Sequence, residues 1–229
     1  MNKKEVFDKI RGHFKTELPH FLSKVVSDEV QFTIKTENYI GFIGIRCQSF
    51  GSKFSLNPSG NSISIFKIEE SFRNLLHESI LPKYGEDTLG ISPNFKEEIK
   101  EIRNFEFTDL SALDDYLPKL KRFLQQVEQE FLIPFSDVNN IAKYIAQYPF
   151  SEQKNILVGG QYPVHMMKKI FLLFQGNQMN RYEEYKLGLK KSIDSFADQY
   201  PDEKEEEPLL KESYTYFIER LEALDVQQY

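Results

Sequence analysis

The apolar positions of this chain repeat in two different ways, and the change between them marks its organisation. Near the start, Val6, Phe7, Ile10, Phe14, Leu18, Phe21 and Leu22 recur at helical spacing, which predicts a helix over residues 3–26 that Pro19 kinks or cuts. Val30, Phe32 and Ile34 then alternate with polar residues, as on a half-buried strand. A turn at Asn38 leads to a second strand from Tyr39 to about Ser49. On it Ile43, Ile45 and Cys47 share one face, while Phe42, Gly44, Arg46 and Gln48 share the other. Gly41 and Gly44 predict a bulge or a close backbone approach. Phe54 and Leu56 read as a third short strand, Asn57-Pro58-Ser59-Gly60-Asn61 as a turn, and Ile63 and Ile65 as a fourth strand. Connections this short require no crossover helix, so the expected sheet is an antiparallel meander.

From Leu110 to Phe131 the repeat becomes helical again. Leu110, Leu113, Leu117, Leu120, Leu124, Val127 and Phe131 are separated by steps of three and four, and Lys119, Lys121, Arg122, Gln126, Glu128 and Gln129 stay on the wet side. This is the helix expected to lie where a sheet layer meets a helical layer. Pro118 predicts a short turn at 110–116, a kink, and a second helix opening near the proline, with Thr108 or Asp109 as cap. Between sheet and helix, Glu69 to Leu81 reads as a helix with Phe72, Leu75, Leu76 and Ile80 inward and Pro82 as its stop. Residues 83–103 read as a loop with a helical turn at 94–101, and Asn104 to Phe107 as an edge strand.

Beyond it, Pro134 is expected to start a helix carrying Val138, Ile141, Ala142 and Ile145. Val164–Phe174, the stripe Tyr182, Tyr185, Leu189, Ile193 and Phe196, and the stripe Leu210, Tyr214, Phe217, Ile218, Leu221 and Leu224 complete a small helical bundle. The predicted class is α+β. An α+β domain is expected over 1–150, with a helical part over 151–229 packed on it.

Composition adds limits. The chain has 229 residues, enough to bury roughly 70% of its unfolded surface. Twenty Phe and 12 Tyr, with no Trp, supply large buried areas. The net charge is −6, of which the five acids and one lysine of Asp202–Glu207 carry −4, leaving −2 for the rest. A nearly neutral body lacks the field that attracts nucleic acid, so no nucleic-acid partner is expected. No window approaches 18 uninterrupted apolar residues, so no membrane span is expected. Cys47 is the single cysteine and no secretory leader opens the chain, which points to the reducing cytoplasm.

Candidate chemistry is sparse. His13, Glu17 and His20 sit at i, i+4 and i+7, a spacing suited to a divalent metal on an unbroken helix, but Pro19 interrupts it and solvated side chains are the expectation. Cys47 lies among Ile43 and Ile45, as an inert core thiol would. Gly51-Ser52-Lys53 lacks the first glycine and the residue order of a phosphate loop. Asp114-Asp115, Glu97-Glu98 and Glu183-Glu184 are adjacent on helices, so their carboxylates point about 100° apart. Arg46, Gln48 and Lys53 fall on or beside strands and form the candidate ligand patch, either for an anion or as a solvated sheet face. Asp202, Glu203, Glu205, Glu206 and Glu207 form the candidate partner-binding segment, either a solvated linker or a dock for a basic protein. No catalytic residue, metal or cofactor is predicted.

Phe42-Ile43-Gly44-Ile45-Arg46 through Phe54-Ser55-Leu56-Asn57, together with Phe131-Leu132-Ile133-Pro134-Phe135, give residues 1–150 a pattern that resembles uncharacterised bacterial α+β domains of unknown function. Some of those are similar to immunity proteins encoded beside toxins. The resemblance implies a non-catalytic cytoplasmic protein that binds and neutralises or regulates a protein partner. The alternative is a small-ligand binder or enzyme that uses the polar patch on the sheet face.

Overall fold

The computed structural model describes residues 1–91 and 102–226. They divide into two compact units: Met1–Ile63 with Gly90–Ser136, and Ser64–Leu89 with Asp137–Tyr229. The partition is discontinuous in sequence, whereas the pattern reading draws one cut at residue 150. The helical turn expected at 94–101 and the pair Glu97-Glu98 lie outside the described residues.

The first unit holds most of the sheet. Its opening helix α1 (Lys3–Glu17) starts from a capping box: the Asn2 side chain accepts from Glu5 N at 3.0 Å, and the Glu5 carboxylate accepts from Asn2 N at 2.7 Å. The helix stops two residues before Pro19, which disfavours helical backbone at Leu18. Leu22–Val26, expected as the end of this helix, is instead strand β1. Ser27, with φ 56°, and Asp28 turn the chain in two residues, so that β1 pairs antiparallel with β2 (Glu29–Lys35) from Val26↔Glu29 to Leu22↔Thr33. Five ladder pairs outweigh a helical turn isolated behind a proline.

β2 pairs with β3 (Tyr39–Phe50), and β4 (Lys53–Ile65) follows after Gly51-Ser52. The turn expected at 57–61 does not form. β4 runs straight through it because it has neighbours on both sides: β3 on one, and on the other β5 (Leu89–Ile91) and β6 (Phe105–Phe107). Asn57 serves that pairing, its side-chain oxygen accepting from Asn104 N at 2.7 Å. The sheet order is β1-β2-β3-β4-β5, with β6 beside β4 in the register Phe54↔Phe107.

One face of the first unit's sheet is covered by apolar side chains. Phe14 of α1 meets Phe32 of β2 edge-to-face at 5.2 Å, and α1 packs on α3 (Leu113–Val127). Of the predicted stripe, Leu113, Leu117, Leu120, Leu124, Val127 and Phe131 are buried, joined by Tyr116 and Phe123, while Leu110 is half-buried in the turn before the helix. Pro118 does not begin a second helix. Asp109 caps a short turn at Leu110–Ala112, and α3 starts at Leu113 and passes through the proline, whose missing N–H removes one early hydrogen bond.

The second unit is mainly helical. α2 (Phe66–Arg73) is shorter than the expected 69–81, and Pro82 lies within a separate 3-10 segment, Glu78–Lys83. Phe72, Leu75, Leu76 and Ile80 are nevertheless all buried. Pro134 opens only a 3-10 turn, and α4 (Val138–Ala146) begins after the cap Asp137. α5 (Val164–Gln175) packs with α4, α6 (Met179–Asp194) and α7 (Glu207–Val226). The fold is α+β, with an antiparallel meander and a helical bundle. No helix among the described residues is long and apolar enough to cross a membrane.

Candidate functional site

Because Arg46 pairs with Glu29 at the start of β2, the last four residues of β3 run past the β1–β2 hairpin. Arg46 at its base and Gln48 and Phe50 on it follow one another at alternate positions, opposite in phase to buried Ile43, Ile45 and Cys47. Lys53 lies directly across the two-residue connection from Phe50 and shares its face. The structure therefore brings Arg46, Gln48 and Lys53 onto one hairpin face. All three are exposed. Arg46 Nε lies 3.8 Å from Asp28 Oδ1, and Lys53 Nζ 3.8 Å from Glu106 Oε2. Exposed pairs at such distances contribute little and leave both cations available to a partner.

Apolar side chains flank this patch in solvent. Phe50 at the hairpin tip and Leu22 on β1 are each 63% exposed, and Val26 on β1 is exposed on the same face; Val25, exposed as well, points to the opposite face with its partner Val30. β1 was missing from the sequence reading, and the signal for it was present: a β-branched pair followed by the turn dipeptide Ser27-Asp28, just before a clear alternating strand.

The other candidates disperse. His20 lies beyond the end of α1 with its Nε2 3.2 Å from Glu128 Oε2, and Glu17 takes a 2.7 Å bond from Lys121, so the His13, Glu17, His20 set is parted. Cys47 is fully buried, and burial pushes its thiol up to about 11, far from the range of a reactive thiolate. Glu183 pairs with Lys186, whereas Glu184 turns to Arg181 and to Phe150 N. Asp114 is taken by Lys9 at 2.7 Å.

The segment 202–207 is a folded turn. Pro201–Glu206 is a 3-10 helix, and Glu207 begins α7. Glu206 accepts from Lys83 at 3.0 Å, and Glu207 accepts from Ala197 N at 2.9 Å and Lys211 at 2.5 Å. Those two acids tie the turn down. Asp202, Glu203 and Glu205 stay exposed without an ion pair among the described residues.

The strongest chemistry inside the second unit comes from two lysines set in the apolar run of α5. Lys168 is fully buried and donates to Glu69 Oε2 at 2.6 Å, Gly85 O at 2.6 Å and Asp87 O at 3.0 Å. Glu69 also accepts from Tyr84 OH at 2.7 Å and Thr88 Oγ1 at 2.6 Å. The ammonium lies 5.4 Å from the ring centre of Phe72 and 5.0 Å from that of Tyr84. Burial pushes the Lys168 amine down, against the opposing pull of Glu69. Every donor here has a matched acceptor, which makes the cluster a structural clamp for the segment 84–88. Lys169 is also buried, yet its acceptors are all uncharged: Gln153 O and Oε1 at 2.7 Å each and Met166 Sδ at 4.0 Å, and desolvation takes its amine down to about 8.

On α6, Glu184, Leu187, Gly188 and Lys191 line, with Phe150 and Gln199, an open groove of about 470 Å³. Its one free cation among the described residues is Lys191. Comparison with known proteins returned no matching family model, no matching curated protein and no matching solved structure.

Proposed function

We propose that this chain is a non-catalytic, cytoplasmic protein-binding protein of the regulatory or immunity kind, and that it meets its partner with the two hairpins of the sheet unit. The observation that supports this reading is the placement of Leu22, Val26 and Phe50, which stay in solvent on one face of adjacent hairpins whose turns lie at the same end of the sheet. Single exposed apolar side chains are ordinary, but a set of three on one face beside a mixed polar patch has the composition of a docking surface. Full burial of each such side chain stabilises a complex by roughly 1.5–3 kcal/mol before the cost of association. Arg46, Gln48 and Lys53 then form the polar border that orients the partner. Asp202, Glu203 and Glu205 add an exposed negative field that speeds encounter with a basic protein.

Affinity purification of the tagged chain from its native host tests this. The wild-type chain is expected to recover one protein in stoichiometric amount, and the double variant Val26→Asp, Phe50→Asp is expected to lose it while keeping a native circular dichroism spectrum. Absence of a stoichiometric protein, or equal recovery by the variant, overturns the proposal.

A further inference from the structure

We infer that the outer edge of β1 takes up an extended strand of the partner protein, and that this strand carries an acidic residue at the position facing Lys24. The inference rests on the protein-binding reading above and specifies its chemistry.

The direction of the main-chain groups follows from bonds at the two ends of β2. Cys47 N donates to Asp28 O at 2.7 Å, and Thr36 N donates to Tyr39 O at 2.9 Å, so even-numbered residues of this segment face β3. Successive residues in an antiparallel ladder alternate sides. Glu29, Gln31 and Thr33 therefore face β1, and their partners Val26, Lys24 and Leu22 face back toward them. Ser23 and Val25 are left with their N–H and C=O groups pointing away from the sheet, and no hydrogen bond from another described residue reaches them. Those four groups are spaced to bond one residue pair of an added strand.

Exposed edges are usually guarded by proline, by a bulge or by a covering segment. Leu22–Val26 contains no proline, and its register with β2 is unbroken. Its single guard is Lys24, which is exposed and has no ion pair among the described residues. A second copy of this chain would pair Ser23 with Val25 across a two-fold axis and set Lys24 against its own equivalent in the close, non-hydrogen-bonded position. That like-charge contact disfavours self-association. A carboxylate at the same place converts the repulsion into an attraction. Leu22 and Val26 flank Lys24 on the same face, so the matching strand reads apolar, any, acidic, any, apolar. Side chains at alternate positions then supply specificity while the main chain supplies adhesion.

The test is selection of a displayed library of nine-residue peptides on the full chain and two variants. Wild type is expected to enrich segments with an acidic residue between two apolar ones at spacings of two. Lys24→Glu is expected to move the central preference to Lys or Arg, with the original peptides bound about tenfold less well. Val25→Pro removes one outward N–H without touching the ladder to β2 and is expected to lose the enrichment, with its circular dichroism unchanged. Peptides unaffected by Val25→Pro, a central preference unmoved by Lys24→Glu, or a library from which nothing is enriched overturns the inference. A host protein captured equally by wild type, Lys24→Glu and Val25→Pro overturns strand addition alone and leaves the protein-binding reading standing.

Discussion

Lys168 and Lys169 are neighbours on α5, both buried and both shifted down by desolvation, but only Lys168 has a carboxylate that opposes the shift. Lys168 has a carboxylate, two carbonyls and two ring faces; Lys169 has one glutamine and a thioether sulfur. Removing one member of a buried pair strands the other charge, which costs about 3–5 kcal/mol, whereas replacing both by apolar groups is far milder. Glu69→Ala is therefore expected to lower the stability of the second unit by about that amount in urea titration, and Glu69→Leu with Lys168→Met to recover most of it. A loss under about 1 kcal/mol in the single variant would show that the clamp contributes little. At this scale the sequence was partly readable. Two lysines inside the apolar run Val164–Phe174 must either break it or be buried, but Glu69 lies 99 residues from Lys168 and nothing local announces the pairing.

Among the elements, β3 shows the clearest dependence of a strand on a single small residue. A Cβ at Gly41 would fall 2.6 and 2.7 Å from the two methyl carbons of Leu132, so the glycine lets that side chain approach the strand. Gly41→Val is expected to destabilise the first unit by about 1–3 kcal/mol through overpacking. Adding Leu132→Ala to Gly41→Val is expected to return part of it, as a double-mutant cycle would measure. The close approach at Gly41 was legible because a glycine in an alternating strand needs a reason. β1 and β4 were misread for a shared cause. Each is a stretch whose local signals favour something else, a helical repeat for Leu22 and turn residues for 57–61, and each is held extended by strands that pair with it: β1 by the next strand of its hairpin, β4 by strands on both sides.

For the molecule as a whole, the buried bases make stability rise with pH through the mildly alkaline range. Lys169 titrates at about 8 in the folded chain and near 10.5 when unfolded, so below pH 8 the folded state bears the full cost of a desolvated ammonium. That cost is relieved as pH climbs from 8 toward 10.5, because the unfolded chain then holds the proton that the folded chain has released. Burial shifts Lys168 in the same direction, and it also lowers the His165 imidazole, whose contribution is complete below pH 6.5. Burial raises the phenols of Tyr144 and Tyr214 to about 12, which withdraws stability once pH passes their unfolded value near 10. The unfolding midpoint of the second unit is therefore expected to rise between pH 7.5 and 9.5, by on the order of 2 kcal/mol, and to fall above pH 10. Lys169→Met is expected to flatten most of the rise, and an unaltered slope in that variant would remove Lys169 from the explanation.

The amino-acid sequence by itself determined which side chains are buried along α1, β2, β3, α3 and the C-terminal helices, because repeats of 3.6 and 2 are written locally and act through the neighbouring turn or strand position. It also determined the α+β class and placed Arg46, Gln48 and Lys53 on or beside strands. Only the tertiary structure decided that Leu22–Val26 becomes an exposed sheet edge, that β4 runs unbroken, and that Lys168 finds Glu69. The first depends on a hairpin whose turn outcompetes a helical repeat, and the other two on main-chain pairing and charge burial between segments far apart in the chain, which no local repeat encodes.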